Sequence, residues 1–490
     1  MQDIESRAFA QGVEAADLME QAGLGIANAI RQFFPQPGTA ILYLGKGNNA
    51  GDALVAARHL ATHGWTLWAR LSASPIDFKP LPRIHWQALG SKLRSIPQAL
   101  TPEALPPGPL LLLDGLLGIG ASGPLQPVLS ELALEMNRLR QQAHASTVAM
   151  DLPSGLDGDS GHPSFDAVCA DLTCTVAQVK SGLVADSAIN HVGRLCLIPL
   201  PALQATEGDA TAALATPSQL RPLLPRRAFD THKGQVGRVS IIAGSPGYLG
   251  AAELACRGAL KAGAGMVTLW VPPAAYQLLA SRVPAEVMVR RSRDFLECLD
   301  HPHDALVIGP GLGRKQDEPI LNLLSQATAA TVVDADALNA LAAQRDWPAP
   351  AGPRLLTPHP GEWARLAPDL ACSGMSRRAQ AERFVAHHPA TTLLLKGART
   401  VIAHAGQATF FNSTGHPGMA TGGMGDVLSG VLGALVASGM TTFQAAAVGA
   451  WLCGRAAERT ALASHENATL PSTTAAALGG ALQDLVQASY

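Results

Sequence analysis

Three short runs in the first half of this 490-residue chain hold residue types that can bind anions, hold a cation and move protons. They are Lys46-Gly47-Asn48-Asn49-Ala50-Gly51-Asp52, the stretch from Asp114 to Gly123, and Asp151-Leu152-Pro153-Ser154-Gly155-Leu156-Asp157. Their glycines allow close backbone approach to phosphate, and Asn49, Asp114 and Ser154 can supply hard oxygen ligands to a cation. With one carboxylate in that set, the cation would be monovalent or orienting rather than a hydrolytic divalent metal. Asp151 follows an apolar run and precedes Pro-Ser-Gly, a position suited to acid/base work; Lys180 can bind a phosphate or assist proton transfer. Plainer alternatives stand beside these. Asn48 and Asn49 can close a tight turn, Asp151 can cap its loop, and Lys180 can be an ordinary solvated lysine.

The second half carries a sharper pattern. Asn412 to Asp426, NSTGHPGMATGGMGD, leads directly into the apolar run VLSGVLGAL. Small residues let backbone amides gather around an anion at a helix start, and Asp426 can remove a proton from a substrate hydroxyl during phosphoryl transfer. No GxxxxGK[ST] run is present, so this is not a Walker loop. Lys396-Gly397-Ala398-Arg399-Thr400 joins two strand-like runs and can hold an adenine nucleotide through backbone groups and charge. His359, in TPHPGE, sits at a strand end where it can hydrogen-bond a substrate or satisfy neighbouring carbonyls. The turn Gly309-Pro310-Gly311-Leu312-Gly313 is expected in the same cleft.

Such residues need strands to present them. In the first half a helix is expected over 13–34, strands over 40–45, 65–71, 110–114 and 146–151, and a helix over 53–64 after a loop KGNNAGD. The strands are nearly continuous apolar runs, as buried parallel strands are, so a three-layer α/β domain is expected. Pro, Ala, Thr and Gln dominate 199–230, and the junction is placed near 203–224. A second, larger α/β domain restarts with strands in 237–244, 266–271, 304–313, 331–336, 354–362 and 391–397. The halves share no motif order that would indicate duplication.

Composition excludes several classes. Lys plus Arg number 36 and Asp plus Glu 38, a net charge of -2, so no summed field favours nucleic acid or an anionic membrane. Hydrophobic residues make up 47% and charged residues 15%, enough apolar material for large cores. The seven cysteines show no CxxC pair, which suggests a reducing compartment, and MQDIESRAFAQG lacks the basic end and apolar run of an export signal. Residues 427–454 carry no charge, yet Ser429, Gly430, Gly433 and the Gly-Met-Thr-Thr run at 439–442 point to two buried helices joined by a turn rather than one spanning helix.

In LMEQAG (18–23), NNAGDALVAARHL (48–60), DGLLGIG (114–120), DLPSGLD (151–157), TPHPGE (357–362), KGART (396–400) and HPGMATGGMGDVLSG (416–430), the chain resembles the bifunctional NAD(P)H-hydrate repair enzymes over nearly its full length. The resemblance implies an α/β protein with a Rossmann-like epimerase domain at 1–205 and a ribokinase-like, ADP-dependent dehydratase domain at 225–490. It implies interconversion of the R and S hydrates of NADH and NADPH, and ADP-dependent dehydration of the S hydrate with release of AMP and phosphate. Site residues follow by motif. Asn48, Asn49, Ala50, Gly51, Asp52 and Gly118, Ile119, Gly120, Ala121, Ser122, Gly123, Pro124 would form the epimerase substrate loops, with Asp151 and Lys180 near the nicotinamide. Asn49, Asp114 and Ser154 would hold potassium. Ala264, Gly313, His359 and Asp426 would contact the hydrate; Lys396, Gly397, Ala398, Arg399, Thr400 and Gly425 would contact the nucleotide, which arrives with magnesium. A cytoplasmic homo-oligomer without nucleic-acid or membrane partners is expected.

The sequence departs from the family pattern at three places. Ala50 and Ala53 replace glycines of NNGGDG, with strain of order 1 kcal/mol expected if either needs a positive φ. Met424 stands where Thr is common, and Val176-Ala177-Gln178-Val179 replaces Phe-Gly-Ala-Pro. Two other readings compete. A ribokinase-like small-molecule kinase with an N-terminal binding domain is disfavoured by TPHPGE combined with HPGMATGG, and an inactive N-terminal interaction module is disfavoured by the retained Asn49, Asp114, Asp151, Ser154 and Lys180.

Overall fold

A computed structural model describes residues 2–120, 123–203, 211–344, 347 and 349–487. The chain divides into two compact units, Met1–Asp209 and Ala210–Ser489.

Among the described residues, the first unit holds seven strands: β1 Thr39–Leu44, β2 Thr66–Leu71, β3 Leu93–Ser95, β4 Leu110–Gly115, β5 Ser146–Met150, β6 Leu172–Val176 and β7 Arg194–Ile198. They form one sheet in the order β3-β2-β1-β4-β5-β6-β7, parallel throughout. Alternation along β1 makes the layers. Ala40, Leu42 and Leu44 join a core with Ile26, Ile30, Leu54 and Leu60 of the helices Ala15–Phe33 and Asn48–Ala61. Ile41 and Tyr43 join a second core with Leu132, Met136 and Leu139 of the helix Pro127–Gln142. Both faces of the sheet are therefore covered, and the carboxyl ends of adjacent strands β1, β4, β5 and β6 converge.

The second unit holds ten strands among the described residues: β8 Ala212–Ala215, β9 Arg238–Ile242, β10 Met266–Val271, β11 Val287–Arg291, β12 Ala305–Ile308, β13 Ala330–Val333, β14 Arg354–Leu356, β15 Thr391–Leu395, β16 Val401–Ala403 and β17 Thr409–Asn412. Their order is β11-β10-β9-β12-β13-β14-β15-β16-β17-β8. Only the pairs β15–β16 and β16–β17 are antiparallel. The expected start at 225 leaves out β8, which pairs in parallel with β17; its four residues, Ala-Ala-Leu-Ala, are too short and too weak in strand propensity to announce a strand.

The uncharged run 427–454 falls in two helices, Met424–Ala437 and Thr442–Ala463, with Thr441 capping the second through its hydroxyl. No helix of the described residues is long and apolar enough to cross a membrane. The first of these helices lies against Leu249–Lys261 at backbone distance: a Cβ on Gly430 would stand 1.9 Å from the Ala255 carbonyl oxygen, and one on Gly258 would stand 2.3 Å from that of Val427. This crossing fixes the start of the helix that carries Asp426.

Candidate active sites

The first site occupies the carboxyl ends of β1, β4, β5 and β6. After β1 the helix begins at Asn48, with Gly47 at its N-cap, so Asn48 to Asp52 are helical and the helix starts five residues before the expected residue 53. Neither Ala50 nor Ala53 has a positive φ. Both are fully buried in the apolar core, and the strain expected there is absent. Asn49 reaches across to β4, its Nδ2 donating to the carbonyls of Leu117 at 2.7 Å and Asp114 at 3.4 Å, so it closes no local turn. Asp114 is completely buried. Its carboxylate accepts from the Ser154 amide and hydroxyl, each at 2.7 Å, and from the Leu116 amide at 3.3 Å. Burial pushes its pKa up to about 6 against the lowering effect of these bonds.

Asp151 follows β5 with φ 65°, a left-handed conformation that is strained for an aspartate and common at functional sites. Its Oδ1 accepts from Lys180 Nζ, from the Val176 amide at 3.0 Å and from Thr175 Oγ1 at 3.5 Å. Lys180 also donates to Thr175 Oγ1 and the Val176 carbonyl, both at 3.1 Å, and is nine-tenths buried. It is not a solvated lysine, and Asp151 does not cap its own loop. The positive φ among the residues that depart from the family pattern lies here: Ala177 has φ 60°.

A cavity of about 920 Å³ opens over these residues, lined by Asn48, Asn49, Asp52, Gly118 and Asp151 among others. Ile119, Gly120, Gly123 and Pro124 line it as well; Ala121 and Ser122 lie outside the described residues. Ala50 and Gly51 do not line it, the first being core and the second packed against Met19. A second cavity of about 260 Å³ adjoins Leu117, Ser154, Asp157 and His162. Burial, and then the charge of Asp151, pushes the pKa of Asp52 well above the ordinary aspartate value.

The second site has a parallel construction at the adjacent ends of β12, β13, β14 and β15. Asp334, immediately after β13, accepts from Lys396 Nζ at 2.8 Å on Oδ1 and from Ser429 Oγ at 2.7 Å on Oδ2. Burial would raise its pKa, but Lys396 and these bonds leave it lowered. Lys396 also stands 3.9 Å from Glu362. Asp426, third residue of its helix, has its pKa pushed up to about 7 by burial, then by the Asp334 charge, with Lys396 opposing. Gly425 lies over the ion pair, the place of a Cβ being 3.3 Å from Lys396 Nζ. The Gly313 amide donates to Asp336 Oδ2 at 2.8 Å.

His359 caps the helix Pro360–Leu366, its Nδ1 accepting from the amides of Gly361 at 3.0 Å and Glu362 at 3.4 Å. It satisfies amides rather than carbonyls, and this fixes Nε2 as the proton-bearing nitrogen of the neutral ring. Thr400 Oγ1 donates to the Gly397 carbonyl at 3.0 Å, while Arg377 Nη2 donates to the carbonyls of Ala398 at 2.8 Å and Arg399 at 3.3 Å, holding the 397–400 turn. Ala264 is not brought here. It precedes β10 at the opposite end of the sheet, its amide donating to Ala259. At the strand ends that carry Asp334 and Lys396 stands Ala251, whose Cβ faces Gly311. Sequence reasoning also missed Asp334, Asp336 and Ser429; the signal available was the two aspartates closing TVVDAD.

Two parallel α/β units, each with a lysine–aspartate pair and an elevated carboxylate at its strand ends, define an enzyme acting through proton transfer on small-molecule ligands. Residues 15–182 match the family described as YjeF-related protein N-terminus, and 239–479 the family described as NAD(P)H-hydrate dehydratase. The bifunctional NAD(P)H-hydrate repair enzyme of Moorella thermoacetica is 38% identical over 91% of this chain and 88% of its own. That of Coxiella burnetii is 34% identical over 96% and 95%. The chain belongs to the family of bifunctional NAD(P)H-hydrate repair enzymes. Among solved structures, the ADP/ATP-dependent NAD(P)H-hydrate dehydratase of Bacillus subtilis, co-crystallised with ATP and Mg²⁺, is 28% identical with a TM-score of 0.50, covering 56% of this chain and 98% of that one. A ribokinase-like protein of Enterococcus faecalis is 27% identical with a TM-score of 0.51, covering 58% and 100%.

Proposed function

We propose that the protein repairs hydrated NADH and NADPH in two steps, epimerising the R and S hydrates in the N-terminal unit and dehydrating the S hydrate at the expense of ADP in the C-terminal unit. The observation that carries the reading is Asp426, a carboxylate at a helix start whose pKa of about 7 suits a general base. It takes the proton of the hydrate hydroxyl as that oxygen attacks the β-phosphorus of ADP, and AMP leaves. Amides at the start of the helix stabilise the phosphoryl charge. The ring nitrogen then expels phosphate, and loss of a ring proton restores the reduced nicotinamide. Lys396 and the 397–400 turn hold the nucleotide, and His359 donates from Nε2 to the hydrate. Among the described residues no cluster of three metal-ligating side chains is present, so magnesium would come with the ADP phosphates.

In the N-terminal unit Asp151 acts on the hydrate, with Lys180 donating to its Oδ1 and holding it in place. Potassium suits Asn49, Asp114 and Ser154: the donors are hard oxygens, and Asp114 is a buried carboxylate with no cationic partner among the described residues. The ion would supply positive charge for the substrate diphosphate. The seven cysteines form no disulfide, which supports a reducing, cytoplasmic setting. The test is incubation of the purified chain with mixed R and S NADH hydrates, with and without ADP, followed by separation of epimers and NADH. Epimers equilibrating without ADP, and NADH and AMP forming in equal amounts with it, are expected; no ADP-dependent NADH would refute the dehydratase reading.

A further inference from the structure

Asp151 and Asp52 line one cavity but live in different surroundings. The donors to Asp151, from Lys180, Val176 and Thr175, all fall on Oδ1, and Oδ2 accepts no hydrogen bond among the described residues. The carboxylate is thus both neutralised and open. Asp52, one turn into the helix Asn48–Ala61, has no hydrogen bond or ion pair among the described residues. The charges acting on it are Asp151 and Glu5, with Lys180 in opposition, and Lys46 and Lys79 line the same cavity. Two carboxylates sharing a cavity, one with a cation and one without, separate into a base and an acid.

We infer that Asp52 is the general acid of the epimerisation and works against Asp151 as its base. This rests on the hydrate-epimerase reading of the N-terminal unit. Asp52 gives its proton to the hydroxyl on the ring carbon beside the nitrogen. The C–O bond breaks with its electron pair on oxygen, water leaves, and the nitrogen lone pair forms the C=N bond of an iminium. A water molecule attacks the opposite face, its lone pair forming the new C–O bond while the C=N pair returns to nitrogen, and Asp151 Oδ2 takes the proton released. One water leaves and one enters, and a proton passes from Asp52 to Asp151 and back through the wet cavity between turnovers. No oxidant or reductant is needed.

The test is the exchange rate of purified R hydrate without ADP for the unmodified protein, Asp52→Asn, Asp52→Glu and Asp52→Ala, with circular dichroism as the check on folding and ADP-dependent dehydration of S hydrate as the control on the C-terminal unit. Asp52→Asn is expected to lower kcat for exchange on the order of 100-fold, with little change in KM. Asp52→Glu should keep part of the rate, and formic acid should restore part of it to Asp52→Ala. In ¹⁸O-labelled water the new epimer should carry one solvent oxygen. Near-normal exchange by Asp52→Asn, a loss confined to KM with no rescue by formate, or an epimer formed without label overturns the assignment of Asp52 while leaving the epimerase reading intact. Absence of exchange above background in the unmodified protein overturns the epimerase reading, and the assignment with it.

Discussion

The two sites use the same local device, an aspartate paired with a lysine beside a second carboxylate that has no cation of its own, and they differ in the oxygens left open. In the N-terminal unit Asp151 commits only Oδ1, to Lys180 and β6, so Asp151 and Asp52 are both available to a ligand. In the C-terminal unit Asp334 commits Oδ1 to Lys396 and Oδ2 to Ser429, so its work is to hold the lysine, and Asp426 is the carboxylate left to take a proton. Two open carboxylates suit a reaction that gives and takes protons on one substrate. One open carboxylate next to an anion-binding helix start suits a reaction in which a proton leaves as a phosphoryl group arrives.

The largest effect that would break this contrast comes from Asp426→Ala. ADP-dependent formation of NADH should fall by about 1,000-fold or more in a folded protein, with epimer exchange unchanged. Near-normal turnover, followed as NADH absorbance, would remove Asp426 as the base. The pH profile sharpens the point. A base must be ionised, and burial with the neighbouring Asp334 charge puts Asp426 at about 7, so kcat/KM for dehydration should rise with pH through that value and then level. Lys396 opposes the upward shift, and Lys396→Met should move the rise to higher pH at saturating ADP. A profile flat across neutral pH contradicts the assignment.

Potassium marks a further difference between the units. Replacing it by choline should slow exchange and lower the thermal midpoint of the N-terminal unit by a few degrees, without effect on dehydration by saturating ADP. Asp114→Asn should abolish both responses; a potassium response that persists in this variant would relocate the ion. The smallest effect separates two alanines that stand for family glycines. Ala177, at φ 60°, carries strain that Ala177→Gly should relieve, for a net gain of about 0.5 kcal/mol after the entropy of the added glycine. Ala50, inside the helix Asn48–Ala61, should behave in the opposite way, Ala50→Gly losing about 1 kcal/mol. Urea midpoints of the two variants report the signs directly.

The strand ends are legible in the sequence because buried parallel strands are unbroken apolar runs, and polar residues at or just past their ends stand out: Asp114 next to last in its strand, Asp151 and Lys396 directly after theirs, and His359 three residues on. What required three dimensions was the partnering. Nothing local says that Asp334 and Ser429, far apart in the chain, share a hydrogen bond, or that Asp52 and Asp151 line one cavity. Local reading also misplaced features. Glycine and asparagine suggest a loop at 48–52 where tertiary packing of Ala50 and Ala53 supports a helix, and the positive φ falls at Ala177 instead. Ala264, a hydrate contact implied by the resemblance, lies one helix length from Ala251 and at the opposite end of the sheet from Asp334 and Lys396.

The central claim is that each unit performs its own proton chemistry with its own aspartate. It is tested most directly by a chiral time course on pure R hydrate and pure S hydrate with the unmodified protein and Asp151→Asn, both checked for folding by circular dichroism. Asp151→Asn is expected to leave R hydrate at its spontaneous rate of exchange yet to convert S hydrate to NADH with ADP as the unmodified protein does. Exchange by Asp151→Asn at the unmodified rate, or loss of both reactions in a folded protein, would contradict it.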